Sequence, residues 1–233
     1  MREDDVITQD CSTASTPVYL EVGTKRVFAC ALEWPGWCRS AKTEGEALAA
    51  LTASAERYAA VAREASIPFS GVRRDSFHVV ERLIGSAGYT DFGAPGAVPA
   101  SDWVPLTSEE AARQAALVRA AWAIFARIAA EAPAALRRGP RGGGRDRDQM
   151  IDHVLGAEAS YARKLGVKQR QPARDDAPAI AALRDAISAA LRLRVDGASL
   201  VPTGWPPRYA AHRIAWHVLD HAWEMEDCGA AAR

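Results

Sequence analysis

The chain has no net charge, very little lysine, no paired cysteine motif and no long apolar run. Lys plus Arg and Asp plus Glu each number 29 in 233 residues, and only 4 of the basic residues are Lys. That balance argues against a strongly basic nucleic-acid binder and against an acidic solvating protein. No stretch reaches the ~18–20 uninterrupted apolar residues of a membrane helix. The opening MREDDVITQD is acidic and lacks an apolar core behind a basic segment, so no secretory signal is expected. The cysteines Cys11, Cys30, Cys38 and Cys228 show no CxxC spacing. Reduced thiols in a cytoplasmic protein are the expectation, with Cys30 and Cys38 as candidate neighbours in a small sheet.

What is present is a globular composition, with 48% hydrophobic and 25% charged residues, enough for one large domain or two ordinary ones. The zero charge hides an asymmetry: residues 1–100 carry 10 basic and 13 acidic side chains, and residues 101–233 carry 19 and 16. The two parts also obey different periods. VYLEVGTKRVFACA (18–31) predicts two strands around a turn at Gly23-Thr24. Cys38-Arg39-Ser40 predicts a further short strand, and FHVVERL (77–83) another. Between them, Thr43 with Glu46 three residues later is a capping box that opens one helix over TEGEALAALTASAERYAAVAREA. The expected unit is an α+β domain over 1–84. Residues 85–106 hold 4 Gly and 3 Pro and predict a linker.

Beyond the linker the pattern is helical. Helices are predicted from Thr107 to about Ala132, from about Arg147 to Leu165 before Gly166, from about Pro178 to Val195, and from Pro206-Pro207 to Cys228. Four amphipathic helices predict an all-α four-helix bundle over 107–233.

Three of the five histidines fall in an informative pattern. His217 and His221 stand at i and i+4 on the last helix, on the stripe of Ala210, Ile214, Met225 and Cys228. Arg213, Asp220 and Asp227 are expected on the solvent side. His153 lies on the stripe Met150, His153, Ala157, Tyr161 of the second helix. Imidazoles four apart share one helix face, so a pair can reach one ion, and a third inward histidine completes a divalent-metal site. The other explanation is a set of core histidines hydrogen-bonded to backbone or to one another. Rings converging on one point favour the first, and rings turned to separate neighbours favour the second. His78 and His212 are expected to be surface or capping residues.

A bundle with one histidine early in its second helix (DHVLGAEASYARKLG) and HxxxH on its fourth (WHVLDHAWE) resembles the DinB/YfiT-like metalloenzymes. The resemblance covers about residues 105–230. It implies an up-down-down-up bundle and a divalent ion, zinc, nickel or iron, on His153, His217 and His221. It also implies a transferase- or hydrolase-type enzyme, with thiol-dependent S-transfer or isomerisation as the specific version and mycothiol or a similar low-molecular-weight thiol as co-substrate. ALEWPGWCRSAKTEGEALAAL (31–51) resembles the HicB-like fold, a strand and turn leading into a T-x-E-A-L helix opening, with WPGWC in place of the usual turn. A domain of this kind implies homodimer or partner contacts, or substrate access. The alternative function is a non-catalytic binding or regulatory protein whose HicB-like domain makes those contacts.

RRGPRGGGRDRD (137–148) concentrates five arginines around the run Gly142-Gly143-Gly144 just before the second helix. Gly-rich backbone and a helix N-terminus favour anions, so Arg141 and Arg145 are candidate ligands for a small anionic substrate. The competing expectation is a solvated loop whose Asp146 and Asp148 pair locally. Tyr161 and Trp216 are candidate substrate-pocket residues, and Glu158 and Glu224 candidate acid/base or supporting groups.

Overall fold

The computed structural model describes residues 15–69, 77–138, 144–193 and 197–229. Among these the chain is an α+β protein of four strands and six helices. The sheet contains β1 (Thr16–Val22), β2 (Val27–Ala31), β3 (Cys38–Ala41) and β4 (Phe77–Ile84), in the order β3-β2-β1-β4. β1, β2 and β3 are antiparallel neighbours, and β4 runs parallel to β1 with a register shift between Val18 and Tyr19. The strand-turn-strand expected at Gly23-Thr24 is present, with the Gly23 amide donating to the Arg26 carbonyl.

All five residues of β2 are buried, which requires cover on both faces of the sheet. Val18, Leu20, Ala29 and Ala31 face the main core with Leu51, Tyr58 and Val61 of the following helices. Tyr19, Phe28, Cys30 and Cys38 occupy the opposite face and pack on Trp216. Trp37, fully buried, stacks on Tyr58 with ring centroids 5.5 Å apart.

The single helix expected after Thr43 is two: α1 (Glu44–Ala53) and α2 (Ala55–Glu64). Ser54 is the break. Its hydroxyl donates to the Leu51 carbonyl (2.8 Å) and accepts from the Trp37 indole (3.0 Å). Serine bonded to its own backbone in this way competes with the helix. The capping box at Thr43 and Glu46 is present.

Four long helices follow: α3 (Ser108–Glu131), α4 (Arg147–Lys164), α5 (Ala177–Leu193) and α6 (Pro207–Gly229). α3 packs on α5 and α6, α4 packs on α5 and α6, and α2 packs on α3. The main apolar core runs without interruption from the sheet through these helices. None of the described helices is long and apolar enough to cross a membrane.

Residues 85–106 form an ordered segment across the sheet and α6. Glu21 in β1 is fully buried and accepts from the amides of Gly96 and Ala97 (2.9 Å each) and from the Thr90 hydroxyl. Asp91 accepts from the Lys25 amide (2.8 Å) in the β1–β2 turn. On the other side, Arg213 donates to the Pro95 carbonyl and Tyr209 to that of Gly96. A 3-10 turn at Ala100–Trp103 ends the segment.

Candidate metal centre

α4 and α6 build the site. Asp146 precedes α4, and its amide donates to Gln149 (3.1 Å). This fixes where the helix starts and places His153 in its second turn. α6 carries His217 and His221 one turn apart, on the side turned to α4. The three side chains converge: one ring nitrogen from each lies within 4.8 Å of the other two. His153 Nε2 and His217 Nε2 are 3.2 Å apart. Ring centroids are separated by 5.0 Å (His153–His217), 4.8 Å (His153–His221) and 4.6 Å (His217–His221).

The donor set suits a divalent transition metal. Three imidazoles are borderline nitrogen ligands of the kind zinc, nickel and iron accept, and three protein ligands leave positions open. Two nitrogens 3.2 Å apart, each about 2.1 Å from a common ion, would subtend about 100° there, close to tetrahedral or cis-octahedral angles. The same 3.2 Å also suits a direct hydrogen bond between neutral rings.

Burial disfavours the charged form of two of the rings. Burial, with neighbouring His221 and Arg145 adding to it, pushes the His153 pKa down to about 4. Burial also holds the His217 pKa well below the usual histidine value, aided by His221, His153, Arg213 and Arg145. A neutral imidazole is the metal-binding form. Glu224 accepts from His221 Nδ1 at 2.9 Å, the carboxylate contact that orients a ligand ring and leaves its Nε2 free. That hydrogen bond also lowers the Glu224 pKa. His217 Nδ1 is buried without a partner among the described residues.

The remaining expected residues divide. Tyr161 lies at the site, its ring centroid 5.6 Å from that of His217. Arg145 is exposed, and its charge acts on His153, His217 and Glu224. Arg141 lies outside the described residues. Trp216 adjoins His217 but packs edge-on against Phe28 (6.1 Å). The pocket it lines, of about 10 Å³, has room for roughly one water rather than a substrate. Glu158 is 1% exposed and held by Arg184 through two bonds of 3.1 and 3.0 Å. Local pairing expected in the loop is present where described: Arg138 meets Asp146 and Arg147 meets Asp148, each at 2.9 Å.

Two expectations are corrected. Arg213 is not on the solvent side; it is 8% exposed, with its guanidinium over Trp216 (4.8 Å) and Tyr161 (5.7 Å). His212 is not a surface or capping residue; it is 8% exposed, bonded to the Leu32 backbone, and burial lowers its pKa to about 4. Both errors have one cause. α6 is covered by the sheet and the 85–106 segment as well as by helices, so it is buried all round from Tyr209 to Leu219. His78 is exposed as expected.

Comparison with models of protein families, with curated proteins and with solved structures gives no match.

Proposed function

We propose that the protein is a divalent-metal-dependent enzyme of the DinB-like kind, its long helices forming a four-helix bundle and its metal held by His153, His217 and His221. The convergence of three imidazoles from two helices, all within 4.8 Å, carries the proposal. When bound, the ion would supply Lewis acidity, able to polarise a carbonyl or lower the pKa of a coordinated thiol or water. The chain's own groups do the rest. Glu224 fixes the His221 ring, and Tyr161 offers a phenol beside His217. Arg145, exposed next to the histidines, suits the anionic end of a small substrate. The specific reading is transfer of a low-molecular-weight thiol such as mycothiol, supported by the resemblance of the two histidine segments to that family. Free Cys30, Cys38 and Cys228 suit a reducing, cytoplasmic setting, and the HicB-like sheet domain suits dimer or partner contacts.

Metal analysis of the purified protein, beside His153→Ala and His217→Ala, tests this. About one ion per chain, lost in both variants, is the expected result. A folded metal-free protein, or variants that keep full metal, would sink it. A second reading, a non-catalytic protein with a histidine pair as core, is favoured by the direct His153–His217 hydrogen-bond distance. That reading expects no metal.

A further inference from the structure

The sheet carries a pair of thiols in contact, separate from the three histidines. Cys30 and Cys38 are register partners in the β2–β3 ladder. The Ala31 amide donates to the Trp37 carbonyl, so Ala31 and Trp37 are a hydrogen-bonded pair and Cys30 and Cys38, next in the alternation, are a non-hydrogen-bonded one. In such pairs the Cα atoms stand about 4.5 Å apart with side chains close, inside the 4.4–6.8 Å span a disulfide requires. Both thiols point to the face capped by Trp216, and their Sγ atoms are 2.6 Å apart, inside van der Waals contact.

We propose that Cys30 and Cys38 form a redox site that a peroxide-class oxidant closes into a cross-strand disulfide. The small pocket of about 10 Å³ beside Tyr19, Cys30, Cys38, Arg213 and Trp216 admits a molecule the size of water. Hydrogen peroxide, one oxygen larger than water, is the oxidant nearest that size and needs only a small outward shift of the lining side chains, whereas a bulky disulfide is far too large. One thiol loses its proton and attacks a peroxide oxygen; the S–O bond forms, the O–O bond breaks and water leaves. The second sulfur then attacks the sulfenic sulfur, the S–S bond forms, the S–O bond breaks and a second water leaves. Two thiols are oxidised and one peroxide is reduced to two waters. Burial raises the Cys38 pKa, so the thiolate is scarce and closure is slow.

The link would close the loop of Leu32 to Trp37, the turn that meets α6 through Gly36. Its chemistry requires nothing of the metal centre, so the two proposals stand or fall apart.

Tryptic cleavage after Arg26 and Arg39 leaves Cys30 and Cys38 on one peptide, VFACALEWPGWCR, free of Cys11 and Cys228. The full-length folded protein is treated with hydrogen peroxide, quenched with iodoacetamide under denaturing conditions, digested and weighed. The expected product is this peptide unalkylated and lighter by two hydrogens, regaining two alkylatable thiols after dithiothreitol. Recovery of the doubly alkylated peptide, of its sulfinic or sulfonic acids, or of cross-links to Cys11 or Cys228 instead, would overturn the proposal.

Discussion

Gly36 sits against Ala215 so closely that a Cβ on the glycine would lie 2.9 Å from both the carbonyl carbon and the methyl of that residue. Its φ of +89° also falls where side chains are strained. Gly36→Ala is therefore expected to push the 34–37 turn off α6, lowering stability by about 2–4 kcal/mol. Chemical denaturation measures the loss. Because Ala215 lies two residues before His217, weaker metal retention should accompany it.

Glu224→Gln keeps the size of the side chain but removes the carboxylate that accepts from His221 Nδ1. Metal affinity should fall by about 10–100-fold, the usual loss when such an orienting partner is removed. Competition with a chromophoric chelator gives the number. An unchanged affinity would mean that His221 is oriented by something else.

Asp102 is 1% exposed, neither carboxylate oxygen has a hydrogen-bond partner among the described residues, and burial pushes its pKa up to about 7. The unfolded side chain titrates near ~3.9. Between those values the unfolded chain has released the proton and the folded one retains it. Asp102 therefore subtracts stability increasingly as pH rises from ~4 to about 7, and by a constant amount above that. Asp102→Asn should stabilise the protein by about 1–3 kcal/mol at pH 8 and by less at pH 5. Urea titrations at the two pH values decide the matter.

The Glu158–Arg184 pair has side-chain exposures of 1% and 16%. Arg184→Leu would leave the Glu158 carboxylate without its cation in the core, at a cost of about 3–5 kcal/mol. Glu158→Gln in the same background should recover much of that. If the double variant is no better than the single one, lost packing rather than stranded charge is the cause.

Legibility in the sequence followed how local each signal was. The helix starts at Thr43 and Thr107 were readable because the capping box is contained in four residues, and the strand-turn-strand at Gly23 because turn and alternation lie together. The meeting of His153 with His217 and His221 was readable because one-sided stripes on two helices predict which faces meet. Arg213 and His212 were not. A helix wheel allots every residue to one buried or one wet side, and α6 departs from that by being buried all round from Tyr209 to Leu219. The break at Ser54 depends on the Trp37 indole, 17 residues away, which no local pattern reports. The role of Glu21 was equally hidden, because its partners, the Thr90 hydroxyl and the Gly96 and Ala97 amides, lie 69 to 76 residues on.

α6 therefore serves both halves of the molecule at once. The sheet's Phe28, Cys30 and Cys38 rest on Trp216, while the adjoining His217 reaches across to α4. Such an arrangement resists dissection. A fragment beginning at residue 107 would carry all three histidines yet present the bared flank of α6 to water, and it should clump or fray rather than survive as a miniature of the whole. Proteases should accordingly find few resistant intermediates, and heat should melt sheet and helices in one step.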